Sequence, residues 1–123
     1  MKLPEGYQAV MPYLLINDAS KFLDFMEKVF HAKLTLKTML NEKMIRHAEI
    51  NIGGSTIMLS DSHRKNTLNE ATFMIYVDNA DVTYKKAIEE GARAVTKLSN
   101  QQYGRSGCVT DPFGITWWIT SVI

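Results

Sequence analysis

Apolar and polar positions along this chain change period in one order, and then repeat that order. Gln8–Asn17 is a nearly continuous apolar run and predicts a buried strand, in which Pro12 fits best at an edge or a bulge. After Asp18, the residues Phe22, Leu23, Phe25, Met26, Val29 and Phe30 recur at helical spacing and form one buried stripe. Asp18 or Ser20 can cap that helix. Lys33–Leu40 alternates polar and apolar, as a half-buried strand does. Met44–Ile52 and Ser55–Asp61, joined by Gly53 and Gly54, carry the signature of a hairpin with a two-residue turn. Residues 62–70 are polar and predict a linker.

The order then restarts. Ala71–Val77 reads as a strand, Asp78–Ala92 as a capped helix ended by Gly91, and Arg93–Ser99 as a strand. Tyr103–Thr110, the turn Asp111-Pro112-Phe113-Gly114 and Ile115–Ile123 form a second hairpin. Both halves run strand, helix, three strands, and "LLINDASKF", Leu14–Phe22, matches "MIYVDNADV" about sixty residues later. One supersecondary unit has been duplicated. A single helix cannot cover both faces of a four-stranded sheet, so two copies are expected to keep their helices outside and turn the other faces toward a shared space.

Strand parity sorts the side chains. With a two-residue turn, Ile52 lies opposite Ser55, Asn51 opposite Thr56, Glu49 opposite Met58 and His47 opposite Ser60. Ala48, Ile50, Ile57 and Leu59 then share the face under the helix. Their alternates, mixed and polar, mark a wet or ligand-facing surface. His47 and Glu49 stand two apart on one strand, about 7 Å from each other on the same face. That pair can be a hydrogen-bonded structural couple, an anchor for a ligand, or an acid–base pair; two metal ligands from one strand, with no third on their face, rarely complete a site. In the second hairpin, pairing Thr110 with Ile115 places Gly107 opposite Trp118 and Arg105 opposite Thr120. Arg105 would then point inward, either to a ligand carboxylate or phosphate, to an acidic side chain such as Glu49, or to solvent at the rim.

Composition narrows the function classes. The 123 residues suffice for a single domain, with 46% hydrophobic and 22% charged residues and a net charge of +1. The longest basic cluster, His63-Arg64-Lys65, is short, so neither nucleic acid nor an anionic membrane is an expected partner. Cys108 is the single cysteine, read as a small apolar filler, which excludes an internal disulfide and fits a reducing compartment. No signal-peptide pattern and no apolar run of membrane-spanning length occurs, and a cytoplasmic location is expected. His31, at the end of the first helix, and His63, in the linker, are read as structural or exposed.

The duplicated βαβββ order, "VDNADVTYKKAIEEGA" and above all "YGRSGCVTDPFGITWWIT" resemble the glyoxalase/bleomycin-resistance/extradiol-dioxygenase superfamily, also called vicinal oxygen chelate proteins, and within it the PhnB-like branch. The resemblance spans nearly the whole chain. It implies an α+β fold: one domain over 1–123, with module 1 at about 7–61, the linker at 62–70 and module 2 at about 71–122. Its curved mixed sheet would surround a cup with the helices outside, and homodimers would be usual. It also implies four metal-ligand positions, normally His, Glu or Gln. They fall here on Met11, Met58, Thr72 and Trp118, none of which suits a Zn, Ni or Fe(II) ion. No metal or other cofactor is therefore expected, save at a site elsewhere in the chain. Trp118 should face the cup, and Trp117 the helices with Ile115 and Ile119. The expected lining is Met11, Tyr13, Met58, Thr72, Met74, Tyr76 and Trp118, with His47, Glu49 and Arg105 as polar anchors. The expected function is metal-free binding of a small, partly aromatic or apolar molecule. The alternative is a lyase, isomerase or dioxygenase with a displaced metal site or His47/Glu49 acid–base chemistry.

Overall fold

A computed structural model of the chain describes residues 1–62 and 71–123. The expected linker lies outside the described residues except for Ser62, as does the His63-Arg64-Lys65 cluster. The chain divides into two compact units, Met1–Thr67 and Leu68–Ile123.

In the first unit, β1 (Tyr13–Ile16), α1 (Ala19–Phe30), β2 (Lys33–Met39), β3 (Ile45–Ile52) and β4 (Ser55–Asp61) form a helix and a sheet of order β1-β4-β3-β2. β1 runs parallel to β4, and the other pairs are antiparallel. The first strand is shorter than the apolar run predicts. Pro12 has no N–H to give to a ladder, and only its carbonyl takes part, accepting from the Met58 N–H at 2.9 Å. Met11 consequently lies off the strand. Asp18 caps α1 in the left-handed region (φ 66°) and accepts from the Lys21 amide. Phe22, Phe25, Met26, Val29 and Phe30 are buried and Leu23 is half-buried. They meet Leu14, Ile16, Ala48, Ile50 and Leu59 in the core of this unit. β2 is exposed along its whole length, against the expectation of a half-buried strand. It is the sheet's edge, and its register with β3 shifts twice, so its alternation never acquires a covered face.

The second unit repeats the plan with β5 (Thr72–Tyr76), α2 (Ala80–Glu89), β6 (Arg93–Gln101), β7 (Gly104–Thr110) and β8 (Thr116–Ser121), in the order β5-β8-β7-β6. Asn79 caps α2 by accepting from the Val82 amide, and Gly91 follows its end with φ 103°. The duplication extends to the helix starts. The amide of Ala19 donates to Asp61 at the end of β4 (2.9 Å), and the amide of Ala80 donates to Ser121 at the end of β8 (3.1 Å). In each unit the last strand thus ties down the first turn of the helix, satisfying an amide that has no partner within the helix.

The β3–β4 register is the expected one, with Glu49 opposite Met58 and Asn51 opposite Thr56. The β7–β8 register is not. Thr110 pairs with Thr116, so Cys108 faces Trp118, Gly107 faces Ile119, Ser106 faces Thr120, and Arg105 faces Ser121. The loop holds five residues rather than four, because Asp111 and Ile115 bond to each other inside it. The Asp111 amide donates to the Ile115 carbonyl, and the Ile115 amide donates to the Asp111 carboxylate.

Candidate functional site

Each sheet has one face under its helix and one facing away. On the far face of the first sheet, Tyr7, Tyr13, His47 and Glu49 form a continuous hydrogen-bonded chain. Parity on β3 puts His47 and Glu49 there, and the β1–β4 pairing brings Tyr13 alongside Met58. The His47 Nε2 lies 2.7 Å from the Glu49 Oε2, and the Tyr13 hydroxyl lies 2.9 Å from His47 Nδ1. The Tyr7 hydroxyl donates to both Glu49 oxygens, at 2.7 and 2.8 Å. One proton order satisfies every group: Tyr13 donates to Nδ1, Nε2–H donates to the carboxylate, and Tyr7 closes the chain. The His47 and Tyr13 rings are also in contact, with centroids 5.5 Å apart.

Glu49 is only 5% exposed. Burial opposes its charge, but the hydrogen bond from His47, aided by that from Tyr7, more than offsets this and holds the carboxyl below its ordinary range. The same bond to Glu49 raises the Tyr7 phenol above its ordinary value, with burial adding to it. Tyr7 is held in place by its neighbours. The Gln8 side chain exchanges two hydrogen bonds with the Thr56 backbone, and the Thr56 hydroxyl donates to the Gly6 carbonyl. Parity located His47 and Glu49; Tyr7 escaped sequence reasoning, since it belongs to no strand or helix and no spacing rule ties it to β3. Only the need of a buried carboxylate for donors points to such a partner.

On the far face of the second sheet, Met74 pairs with Trp118, Thr72 with Thr116 and Tyr76 with Thr120. Thr72, Met74 and Tyr76 are exposed and Trp118 is half-buried, whereas Trp117 is 1% exposed. The Trp117 indole packs against Phe73 and donates from Nε1 to Asp111 at 2.8 Å. The two tryptophans therefore point opposite ways as expected, Trp117 on the side of α2.

Arg105 is placed differently from its expected position. The one-residue change of register turns it to the helix side, where its guanidinium donates twice to Asp81 of α2, at 2.7 and 3.1 Å, and once to Asn100. Its acidic partner is Asp81, not Glu49, and Asp81 is held ionised by that contact. Gly107 is likewise small for another reason: a Cβ there would come within 3.0 Å of Tyr84 and Leu98. Cys108 moves to the Trp118 face, buried, and burial pushes its thiol pKa up, away from reactivity.

The donor set does not suit the divalent metal that the sequence resemblance implies. Two thioethers, a hydroxyl and an indole stand at the four positions, and no group of three His, Cys, Asp or Glu side chains able to hold a metal occurs among the described residues. His47 and Glu49 already use Nε2, Nδ1 and both carboxylate oxygens on each other and on the two tyrosines. Among the described residues, no helix is long and apolar enough to cross a membrane.

Comparison with known proteins agrees with this architecture. The chain is 32% identical to an uncharacterised protein of Mycobacterium bovis, Mb0911c, over 89% of this chain and 80% of that one. Its fold is similar to that of TioX from Micromonospora sp. ML1, with a TM-score of 0.76 and 22% identity, covering 94% of this chain and 99% of the other. A PhnB protein from Bacillus cereus, described as a putative 3-demethylubiquinone-9 3-methyltransferase, superposes with a TM-score of 0.76 at 17% identity, covering 94% and 100%. The profile of one family matches residues 8–119, nearly the whole length. The chain belongs to the glyoxalase/bleomycin resistance protein/dioxygenase superfamily.

Proposed function

We propose that this protein, a PhnB-like member of its superfamily, binds a small, partly aromatic or apolar molecule without the help of a divalent metal. The observation that carries this reading is the chemistry of the far faces. Tyr13, Met74 and Tyr76 stand about half exposed, beside half-buried Met58 and Trp118, at and around the positions where a chelating member would carry His or Glu. Polarizable thioethers and aromatic rings suit apolar or aromatic ligands, and on the first unit's face the hydrogen-bonded chain beside Tyr13 and Met58 would supply orientation. The proposal includes a homodimer and a cytoplasmic location.

Two measurements test it. Elemental analysis of protein purified without chelator should find transition metal far below one equivalent per chain; a stoichiometric metal overturns the metal-free reading. Titration with small aromatic compounds, followed by tryptophan fluorescence, should saturate at a fixed stoichiometry. Trp118→Ala should weaken that binding about tenfold or more, as loss of a stacking wall does. Saturation curves that are the same in Trp118→Ala and in the parent protein would exclude Trp118 from the site.

A further inference from the structure

The hydrogen-bonded chain on the first sheet has a direction. Its inner end is closed, because both Glu49 oxygens are occupied and the residue is buried. Its outer end is the Tyr13 hydroxyl, on a side chain 48% exposed. Leu15 on β1 and Leu36 on β2, both about half exposed, share this face, as does Met58 opposite Tyr13. An aromatic molecule resting on that apolar surface would meet one polar atom able to exchange a proton.

We propose that Tyr13, His47 and Glu49 form a proton relay that takes the hydroxyl proton of a small phenol or enol bound beside Tyr13, and so holds the ligand as its conjugate base. The inference rests on the binding reading above and names its ligand class. The step balances. The ligand O–H bond breaks and its proton bonds to the Tyr13 oxygen. Tyr13 passes its own proton to His47 Nδ1. The products are the ligand anion, a neutral Tyr13 and an imidazolium whose Nε2–H stays on the Glu49 carboxylate. No oxidant, metal or further reactant is needed, and the total charge is unchanged.

Three features favour transfer over an inert couple. Glu49 is kept ionised by its bonds and faces the imidazolium that would form. Tyr7 donates to both carboxylate oxygens, which lowers the basicity of Glu49 and leaves His47 Nδ1 as the acceptor that faces the Tyr13 hydroxyl. Among the described residues, the cross-strand neighbour of His47 on β2 is Thr38, which carries no charge that would compete. The acidity of the ligand follows from the base. A carboxylic acid is already ionised near neutrality and an alkanol is far too weak an acid, whereas a phenol or enol lies within a few pKa units of an imidazole.

The test uses the full chain and p-nitrophenol, whose anion absorbs in the visible and whose neutral form does not. In buffer near neutrality, where the free compound is only part ionised and an ordinary imidazole is mostly neutral, adding protein should raise the anion band, lowering the apparent pKa of the bound phenol by about one unit, a tenfold change in its ionisation. His47→Gln and Tyr13→Phe, each checked for a native circular dichroism spectrum and melting curve, should bind it in equilibrium dialysis yet leave the anion band no higher than in buffer alone. If the parent protein binds p-nitrophenol only as the neutral form, or does not bind it, the relay is overturned. It is equally overturned if the rise in the anion band survives in both variants. The parent spectrum decides even if a variant fails to fold. Binding of the neutral form, or of p-nitroanisole alone, would overturn the relay and leave the binding reading standing.

Discussion

At the scale of single residues, two adjacent indoles have opposite duties. Trp117 is enclosed, packed at a tilt against Phe73 and hydrogen-bonded to Asp111; Trp118 is half-buried on the other face. Trp117→Ala should cost about 3–5 kcal/mol, from lost burial and the cavity left behind. Trp118→Ala should cost only about 1–2 kcal/mol, since part of its surface is already wet. Urea unfolding midpoints for the two variants measure the difference, and equal large losses would contradict the assigned facing. The contrast was legible in the sequence, because alternation on a strand separates neighbours whatever the register. The fate of Arg105 was not. Its partner depends on whether the preceding turn holds four or five residues, and Asp-Pro-Phe-Gly is compatible with either. What decides is the Asp111 side chain, which takes the amides of Phe113 and Ile115 as well as the Trp117 indole. That set of contacts exists only once the hairpin and its core are assembled.

At the scale of elements, the two helices are fastened by the same device built from different atoms. Asp61 receives two amides, Ala19 at 2.9 Å and Ile45 at 2.6 Å, and so ties both α1 and the start of β3 to the end of β4. Among the described residues, the Ser121 hydroxyl receives one amide, that of Ala80. Both are buried. Removing Ser121's hydroxyl should cost about 1 kcal/mol, as for the loss of one helix-terminal acceptor. Asp61→Ala leaves two buried donors unmatched and should cost about 2–4 kcal/mol. Thermal melting of the two alanine variants tests this order, and a Ser121 loss equal to or above that of Asp61 would sink it. The sequence showed the duplicated elements because hydrophobic period survives divergence. It did not show these links, since Asp61 and Ser121 read only as strand ends. Nor did it show the shortness of β1 or the exposure of β2. Both follow from sheet order: a proline next to the parallel β1–β4 pair, and an edge position with no helix over it.

At the scale of the whole molecule, the two units carry buried carboxylates that respond to acid in opposite directions. Glu49, in the first unit, is depressed below its ordinary value of 4.5, chiefly by His47. Its contribution to stability is present above that ordinary value and is lost as pH falls through the folded value. Asp111, in the second unit, is raised above its ordinary 3.8, burial outweighing the bonds from Trp117, Ile115, Phe113 and Gly114. Its contribution is full below 3.8 and declines as pH rises through the folded value. Acidification therefore weakens the hydrogen-bonded chain around β3 and β4 while relieving the turn between β7 and β8. Glu49→Gln removes the first effect and leaves the second. Amide exchange, element by element, should show β3 and β4 losing protection toward low pH faster than β7 and β8 in the parent protein. In Glu49→Gln the acid-dependent part of that gap should shrink, although protection of β3 near neutrality starts lower because the neutral side chain holds His47 and Tyr7 more weakly. A gap that widens with acid to the same extent in both proteins would mean that Glu49 does not govern the acid response of the first unit, and that its bonds to His47 and Tyr7 are as strong when it is neutral as when it is charged.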